Sequence, residues 1–176
     1  MAFSEPAKNI EQLGIQEGSS VADLGAGSGF YSIAAAQAVG PSGRVYAVDV
    51  QQDLLGRLKN MAHTSKIHNL EVVHGDIETL NGTRLREQSV EVVIVANVMF
   101  QLDHKDGLVD EVSRILKPGG RVLVVDWTDS FGGLGPQADM VFGQEDAKAL
   151  FEKKGMSFVT GILAGDHHYG LIFRKP

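Results

Sequence analysis

The chain has 176 residues, 22 acidic and 16 basic, giving a formal net charge of −6, with 43% hydrophobic and 22% charged residues and no cysteine. At roughly 150 residues per domain this reads as one domain, able to bury about 70% of its unfolded surface and unlike disordered, collagenous or coiled-coil chains. The missing thiols exclude disulfide scaffolds, thiolate zinc sites, iron–sulfur clusters and cysteine nucleophiles, and the negative charge argues against non-specific binding to nucleic acid or anionic membranes. The N-terminus has neither a basic region nor an apolar run, and no apolar stretch is long enough to cross a bilayer, so a cytoplasmic location is expected.

In chain order, the segment up to Leu13 suits an N-terminal helix, followed by a short apolar strand, Val21–Leu24. Tyr31–Val39 suits a helix and Arg44–Val48 a second strand. Val50, Leu54, Leu55, Leu58 and Met61 recur at helical spacing and predict one apolar face. Leu70–Val73 is the third strand, and one short helix is expected between Gly75 and Ser89. Val90–Val95 is the fourth strand. Next comes a helix carrying Leu108, Val109, Val112, Ile115 and Leu116, with Asp103 as N-cap and Pro118-Gly119-Gly120 as its stop. Arg121–Val125 is the fifth strand, and the glycine-rich Gly132–Pro136 is a loop on the expected ligand face, read as a lid. A helix over Glu145–Lys154 precedes two strands, Met156–Leu163 and Tyr169–Arg174, around Gly165-Asp166. Near-continuous apolar runs separated by helices predict an α/β, Rossmann-like open sheet with helices on both faces, binding its ligand beyond the C-terminal strand ends.

The densest signal is Val21-Ala22-Asp23-Leu24-Gly25-Ala26-Gly27-Ser28-Gly29-Phe30, between a strand and a helix. Its spacing is G-x-G-x-G, whereas dinucleotide binding requires G-x-G-x-x-G, and Phe30 stands where that third glycine would be. Asp23 would repel a pyrophosphate but attract a sulfonium and an amino group, so the turn suits a cationic nucleoside better than a phosphate. Asp49 ends the second strand, twenty residues past Gly29, where a carboxylate can accept from both ribose hydroxyls; a solvated turn aspartate is the competing reading. Val50 follows it. Asp76 after the third strand is placed to accept from an adenine amino group, with Ile77 packing on the ring. Asn97-Val98 follows the fourth strand, either beside the ligand or simply forming a turn.

Together these residues resemble the class I S-adenosylmethionine-dependent methyltransferases, over nearly the whole chain. Val21–Phe30 resembles the family's V-x-D-x-G-x-G-x-G motif, Val48-Asp49 the acidic end of the second strand, and Gly75-Asp76-Ile77 that of the third. Leu116–Val122 resembles the segment before the fifth strand. The resemblance implies seven strands in the order 3-2-1-4-5-7-6 with strand 7 antiparallel, and a single domain over 1–176 with a short lid helix, Phe3–Leu13, within residues 1–14. It implies S-adenosyl-L-methionine as cofactor and S-adenosyl-L-homocysteine as product. It also implies cofactor contacts from Asp23, Gly25, Ala26, Gly27, Ser28, Gly29, Asp49, Val50, Asp76, Ile77, Asn97 and Val98. Within the family, the pattern is similar to the ubiquinone/menaquinone-type branch acting on small molecules. The N-P-P-[YF] signature of base-amino methyltransferases is absent, since Val98-Met99-Phe100 follows Asn97, and the cysteines that arsenite methyltransferases need are absent as well.

Such chemistry is an in-line displacement that needs aligned reactants, and a general base only where the acceptor loses a proton. Four residues are weak candidates for that base or for acceptor contact: His104, Asp126, Trp127 and His168. His104 reads first as an exposed first-turn residue, and Trp127 either stacks on a substrate or caps the core. His168 follows His167, and adjacent strand residues face opposite sides, so no metal site is expected there. Lys8 and Asn9 read first as a solvated face, with reach into the pocket from the lid helix as the alternative. The expected partner is a small-molecule acceptor, with no nucleic acid or membrane insertion. A protein or RNA acceptor, an inactive S-adenosylmethionine-binding protein and a nicotinamide-dependent oxidoreductase are the alternatives.

Overall fold

The computed structural model describes residues 4–176. Phe3, where the expected lid helix begins, lies outside the described residues, and that helix, α1, spans Pro6–Leu13. The elements that follow are β1 (Ser20–Leu24), α2 (Phe30–Val39), β2 (Arg44–Asp49), α3 (Gln52–Thr64), β3 (Leu70–His74) and β4 (Val90–Ala96). Then come α4 (Lys105–Ile115), β5 (Leu116–Trp127), α5 (Gln144–Lys153), β6 (Ser157–Ile162) and β7 (His168–Arg174).

The seven strands form one sheet in the order β3-β2-β1-β4-β5-β7-β6. β1 to β5 pair in parallel, and β7 runs antiparallel to both of its neighbours. Residues 122–125 of β5 are all fully buried, which explains why that run is apolar without alternation. Val122 and Val124 join Leu108, Val112 and Phe151 on one face, packed by α4 and α5. Leu123 and Val125 join Ile10, Leu13, Ala35 and Val39 on the other, packed by α1 and α2.

Three local expectations are corrected. No helix forms between Gly75 and Ser89; the Asp76 carboxylate accepts from the Glu78 N–H (2.9 Å) and the Thr79 hydroxyl (2.7 Å), making a side-chain turn that competes with helix. In α3 the buried residues are Leu55, Leu58 and Ala62, while Val50 lies before the helix and is exposed. His104, not Asp103, is the N-cap of α4, and the helix ends at Ile115. There Leu116 turns extended and opens β5, so Pro118-Gly119-Gly120 lies inside that strand's first turn-like stretch. Lys117 precedes a proline, which disfavours a helical conformation at that position.

Candidate active site

A cavity of about 540 Å³ opens at the C-terminal ends of β1 to β4, where strand order reverses between β1 and β4. The glycine turn forms its floor. Gly25 and Ala26 donate their N–H groups across to the Val48 carbonyl (2.8 and 3.0 Å), bending the turn over the end of β2. Gly25 also sits against β4's loop: a Cβ there would meet the Val98 side chain at 2.7 Å, and its φ is +77°. At Gly29, φ is +84° and a Cβ would run into Leu58 of α3. Helix α2 can start this close to α3 only with glycine at that position.

Each strand end contributes a polar group. Asp23 is 2% exposed and accepts a 2.6 Å hydrogen bond from the Ser32 hydroxyl. Burial pushes its pKa up to about 6 against the pull of that bond, with the Asp49 charge adding to the rise. Asp49 accepts from the N–H groups of Gly27 and Gln51, both at 2.9 Å, and so ties the glycine turn to β2. Asp76 and Ile77 border the cavity from the β3 loop. Asn97 is held with φ +56° and donates its N–H to the Val125 carbonyl (2.8 Å). Its side-chain Oδ1 is buried and has no partner, an acceptor awaiting a donor.

The structure thus brings Asp23, Gly25, Ala26, Gly27, Ser28, Asp49, Val50, Asp76, Ile77, Asn97 and Val98 to one cavity. Gly29 lies behind it. Sequence reasoning missed Tyr31, Gln51, Glu78, Gln101 and Leu102, which also line it. Gln51 and Glu78 directly follow residues that were identified, whereas Gln101 arrives through a single 3-10 turn, Met99–Gln101. Ser4 and Pro6 border the cavity beside Tyr31, whose hydroxyl bonds Ser4 Oγ and Asn9 Nδ2, both at 2.8 Å. Asn9 is therefore a buried strut, and Lys8 is an exposed partner of Glu5.

None of the four weak catalytic candidates lines the cavity. His104 is exposed, its N–H donating to Glu78 Oε1. Asp126 is fully buried on the opposite side of the Asn97 loop and accepts backbone N–H groups from Met99 (2.9 Å) and Trp127 (2.8 Å). Burial raises its pKa to about 6. Trp127 packs on His168 with ring centroids 4.2 Å apart, and a Cβ at Gly135 would meet the indole at 2.7 Å. The Gly132–Pro136 loop therefore packs on the tryptophan, contrary to its expected role as a lid over the ligand. His168 is buried with both ring nitrogens unpartnered, and burial, then the neighbouring His167, holds its pKa down.

The cavity's charge is one-sided. Asp23, Asp49, Asp76 and Glu78 line it, with no lysine, arginine or histidine among the described lining residues. Residues 15–157 match the family described as methyltransferase domain. The chain belongs to that family. It is 32% identical over 155 residues to an arsenite methyltransferase of Halobacterium salinarum, covering 81% of this chain and 38% of that protein. It is 31% identical over 121 residues to the ubiquinone/menaquinone biosynthesis C-methyltransferase UbiE of Pseudomonas entomophila, covering 68% of this chain and 46% of that protein. The chain thus spans less than half the length of these two relatives. A crystal structure of a SAM-dependent methyltransferase from Aquifex aeolicus superposes with a TM-score of 0.90 at 24% identity, over 99% of this chain and 91% of that one, and shares its fold.

S-adenosylmethionine is the cofactor named for the Aquifex aeolicus protein, and the residues present here suit such a ligand. A lining whose charged side chains are all carboxylates favours a ligand carrying a sulfonium and an ammonium. The unpartnered Asn97 Oδ1 offers an acceptor, and the glycine turn leaves room: a Cβ at Gly27 would meet nothing nearer than 3.9 Å.

Proposed function

We propose that this domain transfers a methyl group from S-adenosylmethionine to a small-molecule acceptor by in-line displacement. The observation that carries the reading is the cavity whose charged side chains, among the described lining residues, are all carboxylates. The cofactor supplies an electrophilic methyl: the acceptor's lone pair forms the new bond as the carbon–sulfur bond breaks, leaving S-adenosylhomocysteine. Asp49 would take the ribose hydroxyls while keeping the glycine turn in place. Asp76 and Ile77 would take the adenine, and Asp23 the cationic amino-acid end. Asn97 Oδ1 would accept from the ligand or its acceptor. The chain's own contribution to rate is then alignment of the reacting atoms and exclusion of water by the Ser4–Tyr31 side of the cavity.

The acceptor class is narrowed by the same lining. A phosphate- or carboxylate-bearing acceptor would find no cation in the cavity, so a neutral or cationic small molecule fits better. Arsenic, the acceptor named for one relative, is bound by thiolates in proteins of that kind, and this chain has no cysteine. The N-terminal helix would act as the lid, and the domain would work in the cytoplasm.

A thermal-shift titration with S-adenosylmethionine, S-adenosylhomocysteine and NAD tests the reading. At a hundredfold excess over Kd, binding stabilises by about 2.7 kcal/mol, a rise of roughly 5–11 °C for a chain of this length. The two sulfur nucleosides are expected to produce it and NAD is not. A shift with NAD alone would overturn the proposal, and binding without transfer to any neutral or amine acceptor would leave a nucleoside-binding protein.

A further inference from the structure

Behind the β3 loop lies a buried ionic network that the cavity does not touch. Glu111, on α4, is fully buried. Its Oε2 accepts from the Asn81 N–H and from Arg114 Nε, both at 2.8 Å. Its Oε1 accepts from the Thr83 hydroxyl (2.5 Å), the Thr83 N–H (3.3 Å) and Arg114 Nη2 (2.6 Å). Arg114 Nη2 reaches onward to the Leu85 carbonyl at 2.8 Å. Burial works to raise the Glu111 pKa, but the bonds from Arg114, Thr83 and Asn81 outweigh it and hold the carboxyl below its ordinary value, so it stays charged.

These contacts converge on one stretch of backbone. Asn81 and Thr83 bracket Gly82, whose carbonyl accepts the Asp76 N–H (3.0 Å) and whose own N–H returns to the Thr79 carbonyl (2.8 Å). A Cβ on Gly75 would meet the Gly82 carbonyl at 2.5 Å, and one on Gly107 of α4 would run into the Glu78 carbonyl. Asn81 and Arg84 hold φ of +65° and +60°, conformations that non-glycine residues keep only when their surroundings fix them. The apolar face of α4 is already supplied by Leu108, Val109, Val112 and Ile115. What Glu111 adds is orientation: its bonds run to the 81–83 backbone, to the Thr83 hydroxyl and to Arg114, and to nothing in the sheet.

We infer that Glu111 is a positioning residue for cofactor selection, clamping the 76–83 loop to α4 so that Asp76 meets the purine's exocyclic amino group. The inference rests on the reading above that Asp76 and Ile77 take the adenine. It places a determinant of nucleoside specificity outside the cavity, on the far side of the loop that lines it.

The test is calorimetric, on the full chain, with S-adenosylhomocysteine and its inosine counterpart, in which a carbonyl replaces the amino group. A carboxylate that accepts from the amino group makes the wild type prefer the adenine form by about tenfold or more. Glu111→Gln keeps the shape but removes the charge, and is expected to reduce that preference to about twofold. Thr83→Val cuts the same clamp independently and keeps the test open should Glu111→Gln fail to fold. Phe151→Leu, on the buried face of α5, controls for instability and is expected to lower Tm with the preference intact. An unchanged preference in both clamp variants overturns the inference, as does a wild type that binds S-adenosylhomocysteine without preferring it. A wild type that binds neither nucleoside overturns the functional reading itself.

Discussion

Asp23 is the residue whose protonation the ligand should feel most directly. Its pKa of about 6 means that near pH 5 the carboxyl is mostly neutral, and a cationic ligand gains little from it. A bound sulfonium or ammonium favours the charged form, so binding lowers the pKa and affinity rises with pH. The gain runs from the bound-state pKa up to about 6 and is flat above it, with a limiting slope of about tenfold per unit. Calorimetry from pH 5 to 8 should show that rise in the wild type and its loss in Asp23→Asn. Asp49→Ala should weaken S-adenosylhomocysteine binding by about 1.5–3 kcal/mol, the range for hydrogen bonds to a charged group. Unchanged affinity would remove Asp49 from the ribose. Both residues were legible in the sequence because an acidic residue ending a buried strand has few reasons to be there. Asp126 looks the same in sequence and does a different job, because its destination depends on how the fourth strand's loop folds back, which no local pattern records.

At the scale of elements, the glycine turn and the β4 loop fix each other. The turn's Gly25 admits Val98, and Asp126 behind Val98 gathers the N–H groups of Met99, Trp127, Phe100 and Val98. Asp126→Ala would leave these buried donors without their acceptor and should lower stability by about 2–3 kcal/mol, read from the urea midpoint at unchanged slope. Retained stability would mean that water or a neighbouring carbonyl replaces the carboxylate. The strands were readable because each is buried on both faces and reads as an apolar run. The 75–89 segment was not, because its conformation is set by Asp76 from within and by Glu111 from thirty residues away along the chain, at Asn81. The end of α4 was misplaced for a related reason: the Pro-Gly-Gly stop signal is real but acts after the strand has begun.

Across the whole molecule, the sheet separates two cores, and the cavity lies on the crest where they meet. The α1–α2 core reaches the cavity through Tyr31, whose hydroxyl is shared by Ser4 and Asn9. Burial raises that hydroxyl's pKa, so it remains a neutral donor and acceptor through the physiological range. Tyr31→Phe deprives the buried Asn9 amide of one acceptor and should cost about 1–2 kcal/mol, lowering Tm by roughly 2–8 °C. Equal melting of variant and wild type would show that the Tyr31 hydroxyl adds nothing net to the hold on α1.

The first and last described residues stand at opposite ends of the strands. Ser4 and Pro6 border the cavity, while Lys175 is paired with Gly119 and Gly120 at the start of β5, beside the end of the sheet that carries no ligand groups. Cargo carried next to Ser4 or Pro6 would therefore crowd the cavity's mouth. The same cargo carried beside Lys175 would leave that mouth clear, which makes this side of the sheet the one to anchor to a surface or sensor.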